Sequence, residues 1–255
     1  MSISLELKNA SKIFGGVTAV DDISFEIKSG ELAGLIGPNG AGKTTIFNLI
    51  TGVYDLSQGD ILLNGENINR LKTYQVVSKG VARTFQNLRL FQASTVLENV
   101  MTAAQYHYKY SFFEAVTHMG RWGKKEKDIR KESLELLERV GLSDRIGQAA
   151  GTLPYGLQRR LEIARALSLK PRLLLLDEPA AGMNAEEVEQ LNSLIKDIHK
   201  DFDLTILLIE HHMDMVMEIC PHIVCMNFGA KIAEGTPAQI QSHPEVLKAY
   251  LGEEE

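Results

Sequence analysis

Cysteine is scarce. The chain of 255 residues has two, Cys220 and Cys225. Two thiols build neither a disulfide framework nor a four-ligand zinc set, and they fit a reducing compartment as buried side chains. Long apolar runs are absent too. None approaches the ~20 residues that cross a bilayer, and Leu173–Leu176 meets charge within a few positions. A soluble chain is expected, with any membrane role supplied by a partner. Positive charge is in deficit, 27 Lys+Arg against 33 Asp+Glu, for a formal net charge of −6. That argues against a general binder of nucleic acid, though not against a local phosphate site. Met1 to Lys8 alternates apolar and polar residues and is expected to be a strand, not a signal peptide. Internal repeats and low-complexity stretches are lacking as well, and Glu253-Glu254-Glu255 reads as a solvated tail.

What remains is ordinary globular usage, 44% hydrophobic and 24% charged. The length suits one large α/β domain with a smaller subdomain. Strands are expected at Ile3–Lys8, Ile23–Lys28, Leu32–Ile36, Asp60–Leu63 and Val81–Phe85, with a helix at Thr44–Thr51. From about Val96 to Leu142 the pattern turns helical, and another helix follows Pro154 through Leu167. This reads as a helical insert of some eighty residues, about 87–168. After Pro171 the alternation resumes: strand Leu173–Leu176, helix Ala185–His199, strand Thr205–Ile209, then short strands around Val224 and Ile232. Strands alternating with helices predict a mostly parallel sheet covered on both faces.

Gly37-Pro38-Asn39-Gly40-Ala41-Gly42-Lys43-Thr44 fits G-x-x-x-x-G-K-[ST] between a predicted strand and a predicted helix. Glycines let the backbone wrap phosphates so that successive N–H groups point inward. The helix N-terminus adds partial positive charge. Lys43 is expected to supply a full charge to the β- and γ-phosphates, and the Thr44 hydroxyl can ligate Mg²⁺. Four such fixed positions arise by chance in about one chain in a hundred at average composition.

Two acids, Asp177 and Glu178, follow the apolar Leu173–Leu176, where ligands of open α/β sheets sit. Asp177 is assigned to Mg²⁺ and Glu178 to activating the attacking water. His211 follows a third apolar strand and by the same geometry reaches the γ-phosphate edge. Alone, such a histidine is more often structural. His212 is expected to point elsewhere. No third ligand is spaced to make the pair a metal site.

In this order the motifs resemble those of the ATP-binding-cassette ATPases, over nearly the whole chain. The fold this implies is a P-loop NTPase core with a mostly parallel sheet, an N-terminal antiparallel β subdomain and a helical insert subdomain. The resemblance places Gln86 in the family's glutamine loop, which touches Mg²⁺ and senses the membrane partner. It places Phe14, 23 residues before Gly37, as the adenine-stacking aromatic, and extends the ATP-binding set to Thr45. Leu153-Pro154-Tyr155-Gly156-Leu157 resembles the signature loop that completes the ATP site of a second ATPase subunit. It departs from the pattern at Pro154, where serine is usual, and at Leu157, where glutamine is usual. Proline has no hydroxyl and no N–H for a phosphate. Asn184 stands where the family usually has aspartate.

Within the family, Val81–Gln86, Asp177–Asn184, Ile209–Met213 and the run from Gly235 to Gly252 are most similar to the ATPase of branched-chain amino-acid importers. That implies ATP and Mg²⁺, membrane permease subunits, a second ATPase chain (identical or different), and indirectly an external substrate-binding protein. The expected place is the cytoplasmic face of the membrane. Two rivals share the fold: the ATPase of a lipopolysaccharide-type exporter, and a soluble cassette ATPase. The aromatic run Tyr106–Phe113 reads more simply as packing of the insert than as a permease contact.

Overall fold

The computed structural model describes residues 3–108 and 122–251. Its strands are β1 (Ile3–Phe14), β2 (Val17–Lys28), β3 (Leu32–Ile36), β4 (Gln58–Leu63), β5 (Glu66–Asn67), β6 (Val81–Arg83), β7 (Leu173–Asp177), β8 (Thr205–Ile209), β9 (His222–Asn227) and β10 (Ala230–Gly235). Its α-helices are α1 (Lys43–Ile50), α2 (Thr73–Ser78), α3 (Val96–Ala104), α4 (Trp122–Arg139), α5 (Tyr155–Leu167), α6 (Ala185–Asp201), α7 (Met213–Ile219), α8 (Pro237–Gln241) and α9 (Pro244–Leu251). The chain divides into two compact units, Met1–Arg83 with Arg172–Glu255, and Thr84–Pro171. The Tyr110, Phe112 and Phe113 part of the aromatic run, and the Glu253–Glu255 tail, lie outside the described residues.

The first unit holds two sheets. One has six strands in the order β10-β9-β3-β8-β7-β6, parallel from β9 to β6, with β10 antiparallel at one edge. The other has four antiparallel strands, β2-β1-β4-β5. β3, β7 and β8 are buried at every position, because each lies inside the parallel sheet and was written as an apolar run. Alternate residues serve opposite faces. Leu35, Leu175, Leu207 and Val224 point to the side where Leu5, Leu7, Ile23, Phe25 and Ile27 of the antiparallel sheet meet Ile46, Phe47 and Ile50 of α1. This shared core fixes α1 against the main sheet. Each such side chain contributes roughly 1.5–3 kcal/mol by leaving water.

β1 and β2 are each 12 residues long, well beyond Ile3–Lys8 and Ile23–Lys28. The pairing slips between Leu7 and Ala10 and again between Ala10 and Lys12. Such irregularities break the period-two pattern, so the outer halves do not read as strand in the sequence. β6 ends at Arg83, two residues short of Phe85.

The second unit packs α3, α4 and α5 together, with Val96, Val100, Ile129, Leu137, Leu161 and Ile163 buried. Thr95 caps α3 through Glu98 N, and the Glu98 carboxylate returns to Thr95 N. Asn99, fully buried, accepts from Phe91 N and donates to the carbonyls of Phe91 and Thr95. A loop that would otherwise hide unpaired backbone is thereby satisfied. Among the described residues, no helix is long and apolar enough to cross a membrane.

Candidate nucleotide site

Three strands end at one level. Leu35 of β3 and Asp177 of β7 both stand opposite Ile209 of β8. The segments that follow, from Gly37, from Glu178 and from Glu210, therefore emerge together at the carboxyl edge of the sheet, where open α/β folds place ligands.

From β3 the chain turns through Gly37–Gly42 into α1. A side chain at Gly37 is impossible without rearrangement, since a Cβ there would lie 2.1 Å from the Met226 carbonyl oxygen. At Gly42 it would lie 2.5 Å from the Ala19 carbonyl oxygen, and Gly42 has φ +101°. Lys43, 5% exposed, opens α1, and its ammonium donates to the carbonyl oxygens of Gly37 and Pro38 at 2.6 and 2.9 Å. Pro38 and Ala41 are buried, while Asn39, Gly40 and Thr44 are exposed and Thr45 is half-buried. A backbone turn closed around a near-buried cation, with α1 N–H groups and a Thr44 hydroxyl at its rim, suits a polyphosphate and its Mg²⁺. The donor set fits the group.

Glu178 takes a left-handed backbone, φ +46°, uncommon for a residue with a side chain. Its N–H donates to Ile209 O at 2.9 Å, and its carbonyl accepts from Ala181 N at 3.2 Å. This tight turn swings the carboxylate toward β8, and Glu178 Oε1 lies 2.6 Å from His211 Nε2. Glu178 is 9% exposed, whereas the His211 side chain is 37% exposed. The structure thus joins the two residues assigned to hydrolysis. His212 turns away, with Nδ1 3.0 Å from Glu210 Oε2. No cluster of three or more metal-ligating side chains occurs among the described residues.

Asp177 is 3% exposed and its Oδ2 lies 2.6 Å from Arg83 Nη2. Arg83 Nη1 also donates to Asn48 Oδ1 of α1 at 2.7 Å. This pairing fixes the orientation of the carboxylate that the sequence assigns to Mg²⁺. Arg83 carries no signal of its own in the sequence, being one charge at the end of the short expected strand Val81–Phe85. Sequence reasoning also passed over Glu210, which is 1% exposed, although the argument used for Asp177 applies there: a buried apolar run ending in an acid.

Phe14 ends β1 and is 39% exposed, so it is a surface ring and not a core phenylalanine. Tyr54, unnoticed in the sequence, meets it edge-on at 5.1 Å. Lys12 Nζ lies 4.9 Å from the Phe14 ring centroid.

Gln86 and Leu153–Leu157 belong to the second unit. Gln86 is exposed. Arg159, fully buried, donates to the carbonyls of Phe85 and Gln86 at 2.7 and 3.0 Å and pairs with Glu162 at 2.6 Å. Burial raises the Glu162 pKa, and Arg159 offsets part of that rise. Leu153 is buried. Pro154 is the N-cap of α5, with no side-chain cap, and its carbonyl accepts from Leu157 N and Gln158 N at 3.0 Å each. Tyr155 is exposed and Gly156 half-buried. Asn184 caps α6 through Glu187 N, a role asparagine fills as well as aspartate. Cys220 and Cys225 are buried thiols whose pKa values burial pushes up to about 12 and about 11.

The profile of the ABC transporter family matches residues 20–181. The chain belongs to that family. It is the ATPase subunit of a transporter. A second profile, described as branched-chain amino acid ATP-binding cassette transporter, matches residues 230–255. The cassette is 44% identical to the high-affinity branched-chain amino acid transport ATP-binding protein BraF of Pseudomonas aeruginosa, over 98% of each chain. It is 43% identical to the corresponding protein LivG of Escherichia coli K12, over 94% of each. The crystal structure of the ADP conformation of MJ1267, an ATP-binding cassette of an ABC transporter, superposes with a TM-score of 0.86 at 29% identity. It covers 99% of this cassette and 100% of that chain.

Proposed function

We propose that this cassette binds and hydrolyses ATP to drive import of branched-chain amino acids. It works at the cytoplasmic face of the membrane, on permease subunits, beside a second ATPase chain and downstream of an external binding protein. The substrate class is taken from the relatives' names and from the profile match at residues 230–255. That match also favours import over the lipopolysaccharide-type exporter. The helical unit around 87–168 carries the signature segment Leu153–Leu157, which serves the nucleotide site of the neighbouring ATPase.

The observation that carries hydrolysis is the 2.6 Å contact between Glu178 and His211 at the sheet edge where the Lys43 loop also emerges. In our reading Lys43 and the backbone from Gly37 to Thr45 hold the β- and γ-phosphates, and Phe14 stacks on the base. Thr44 and Asp177 would hold Mg²⁺, which would neutralise charge on the phosphates, and the family resemblance assigns Gln86 of the second unit to the same ion. Glu178 accepts the proton of the attacking water, and His211 keeps its carboxylate aimed. Closure follows because ATP spans two subunits and so favours the closed pair over the open one.

Glu178→Gln tests this. It preserves shape and removes the base. Binding of a fluorescent ATP analogue should persist, while turnover falls roughly 10²- to 10⁴-fold. Unchanged turnover would remove Glu178 from the role.

A further inference from the structure

Glu210 follows β8 and its side chain is 1% exposed. Burying a carboxylate is costly unless hydrogen bonds replace the lost water. Here they do. Oε1 accepts from Ala180 N at 2.7 Å. Oε2 accepts from His211 N at 2.9 Å and His212 N at 3.2 Å, and it lies 3.0 Å from His212 Nδ1. One carboxylate therefore holds two loops: the loop that leaves Glu178 toward Asn184, and the loop that carries His211. Among the described residues its hydrogen-bond partners are Ala180, His211 and His212, none of them in the Gly37–Lys43 turn.

The consequence concerns aim. The His211 ring is 37% exposed, so packing alone does not fix it. Its Nε2 meets Glu178, and the backbone N–H from which the ring extends is held by Glu210. On the other side, Ala181 N donates to the Glu178 carbonyl, one residue from the Ala180 N–H that Glu210 accepts. Glu178 and His211 thus face each other across a brace made by a third residue. We infer that Glu210 is a positioning residue that keeps His211 against Glu178, so that turnover depends on it and nucleotide affinity does not. The inference rests on the reading of Glu178 and His211 as the hydrolytic pair.

Glu210→Gln is the discriminating change. It keeps the volume but must turn an NH₂ toward N–H donors at one end of the brace, leaving a buried donor opposed to a donor. The assay uses the assembled transporter with Mg²⁺ and ATP. Glu210→Gln should lower kcat roughly 10- to 100-fold, the size of one or two lost charge-assisted hydrogen bonds, with KM and analogue binding within about 3-fold. The double variant Glu210→Gln/His211→Ala should be no slower than His211→Ala alone, because the brace acts through the histidine. A merely structural role would make the two losses multiply. Glu210→Asp, one methylene shorter, keeps the charge but cannot reach both loops, and should also lose turnover. Wild-type kcat in both Glu210 variants, or multiplicative losses in the double variant, would overturn the inference while leaving the function intact, provided Glu178→Gln is impaired in the same assay. Full turnover in Glu178→Gln would instead overturn the reading on which it stands.

Discussion

Arg83 and Asp177, 94 residues apart in sequence, are joined by a 2.6 Å ion pair in which the side chains are only 7% and 4% exposed. The same guanidinium reaches Asn48 on the helix that follows the phosphate loop. The end of β6, the end of β7 and α1 are thereby held by one cation. Removing one partner of a buried pair leaves an uncompensated charge, at a cost of about 3–5 kcal/mol. Arg83→Met is therefore expected to lower unfolding free energy by that amount in urea titrations. Arg83→Lys keeps the charge but not the two-pronged geometry, and should fall between. A loss under about 1 kcal/mol for Arg83→Met would mean the pair is incidental.

The phosphate loop is closed by contacts that a single methyl would break. Gly37→Ala puts a Cβ 2.1 Å from a backbone oxygen, so β9 or the loop must move. Loss of ATP-analogue binding is expected, with a stability cost of about 1–3 kcal/mol from overpacking. Calorimetry on the purified variant measures both. Retained affinity would show that the loop tolerates displacement.

A pH effect on stability is expected at the other end of β9. His222 Nε2 lies 3.1 Å from Glu234 Oε1, and Nδ1 lies 3.2 Å from Glu31 Oε1. The Glu234 hydrogen bond raises the His222 pKa above its ordinary 6.5, and His222 in turn lowers that of Glu234 below 4.5. A raised histidine contributes fully below about pH 6.5 and fades as pH climbs through its folded value. The lowered carboxylate contributes above about pH 4.5 and fades as pH falls. Both act together between those limits. Unfolding free energy should thus decline from pH 6 to pH 8 by a component that His222→Gln abolishes. The same slope in the variant would assign the decline elsewhere.

How far these features were legible depends on what each residue does to the pattern around it. Buried strands such as Leu32–Ile36 and Thr205–Ile209 can be read off to the residue, because a strand covered on both faces is an unbroken apolar run. The phosphate loop is legible for a different reason, since its glycines and lysine have fixed spacing. β1 and β2 are half hidden, because bulges spoil alternation. Arg83 and Glu210 are hidden as well. A charge looks like surface in one dimension, and only folding brings it to the partners that make its burial tolerable. The exposure of Phe14 likewise follows from its place at the end of a hairpin strand, which a single aromatic letter does not reveal.

The central claim is that ATP hydrolysis at this cassette moves amino acids through a membrane partner. Uptake of labelled leucine into proteoliposomes, with the full transporter, ATP on the cassette side and the binding protein outside, tests it most directly. Wild type should accumulate leucine only when ATP and Mg²⁺ are present, and Lys43→Ala and Glu178→Gln should each abolish accumulation. ATP-independent uptake, or undiminished uptake in either variant, would contradict the account.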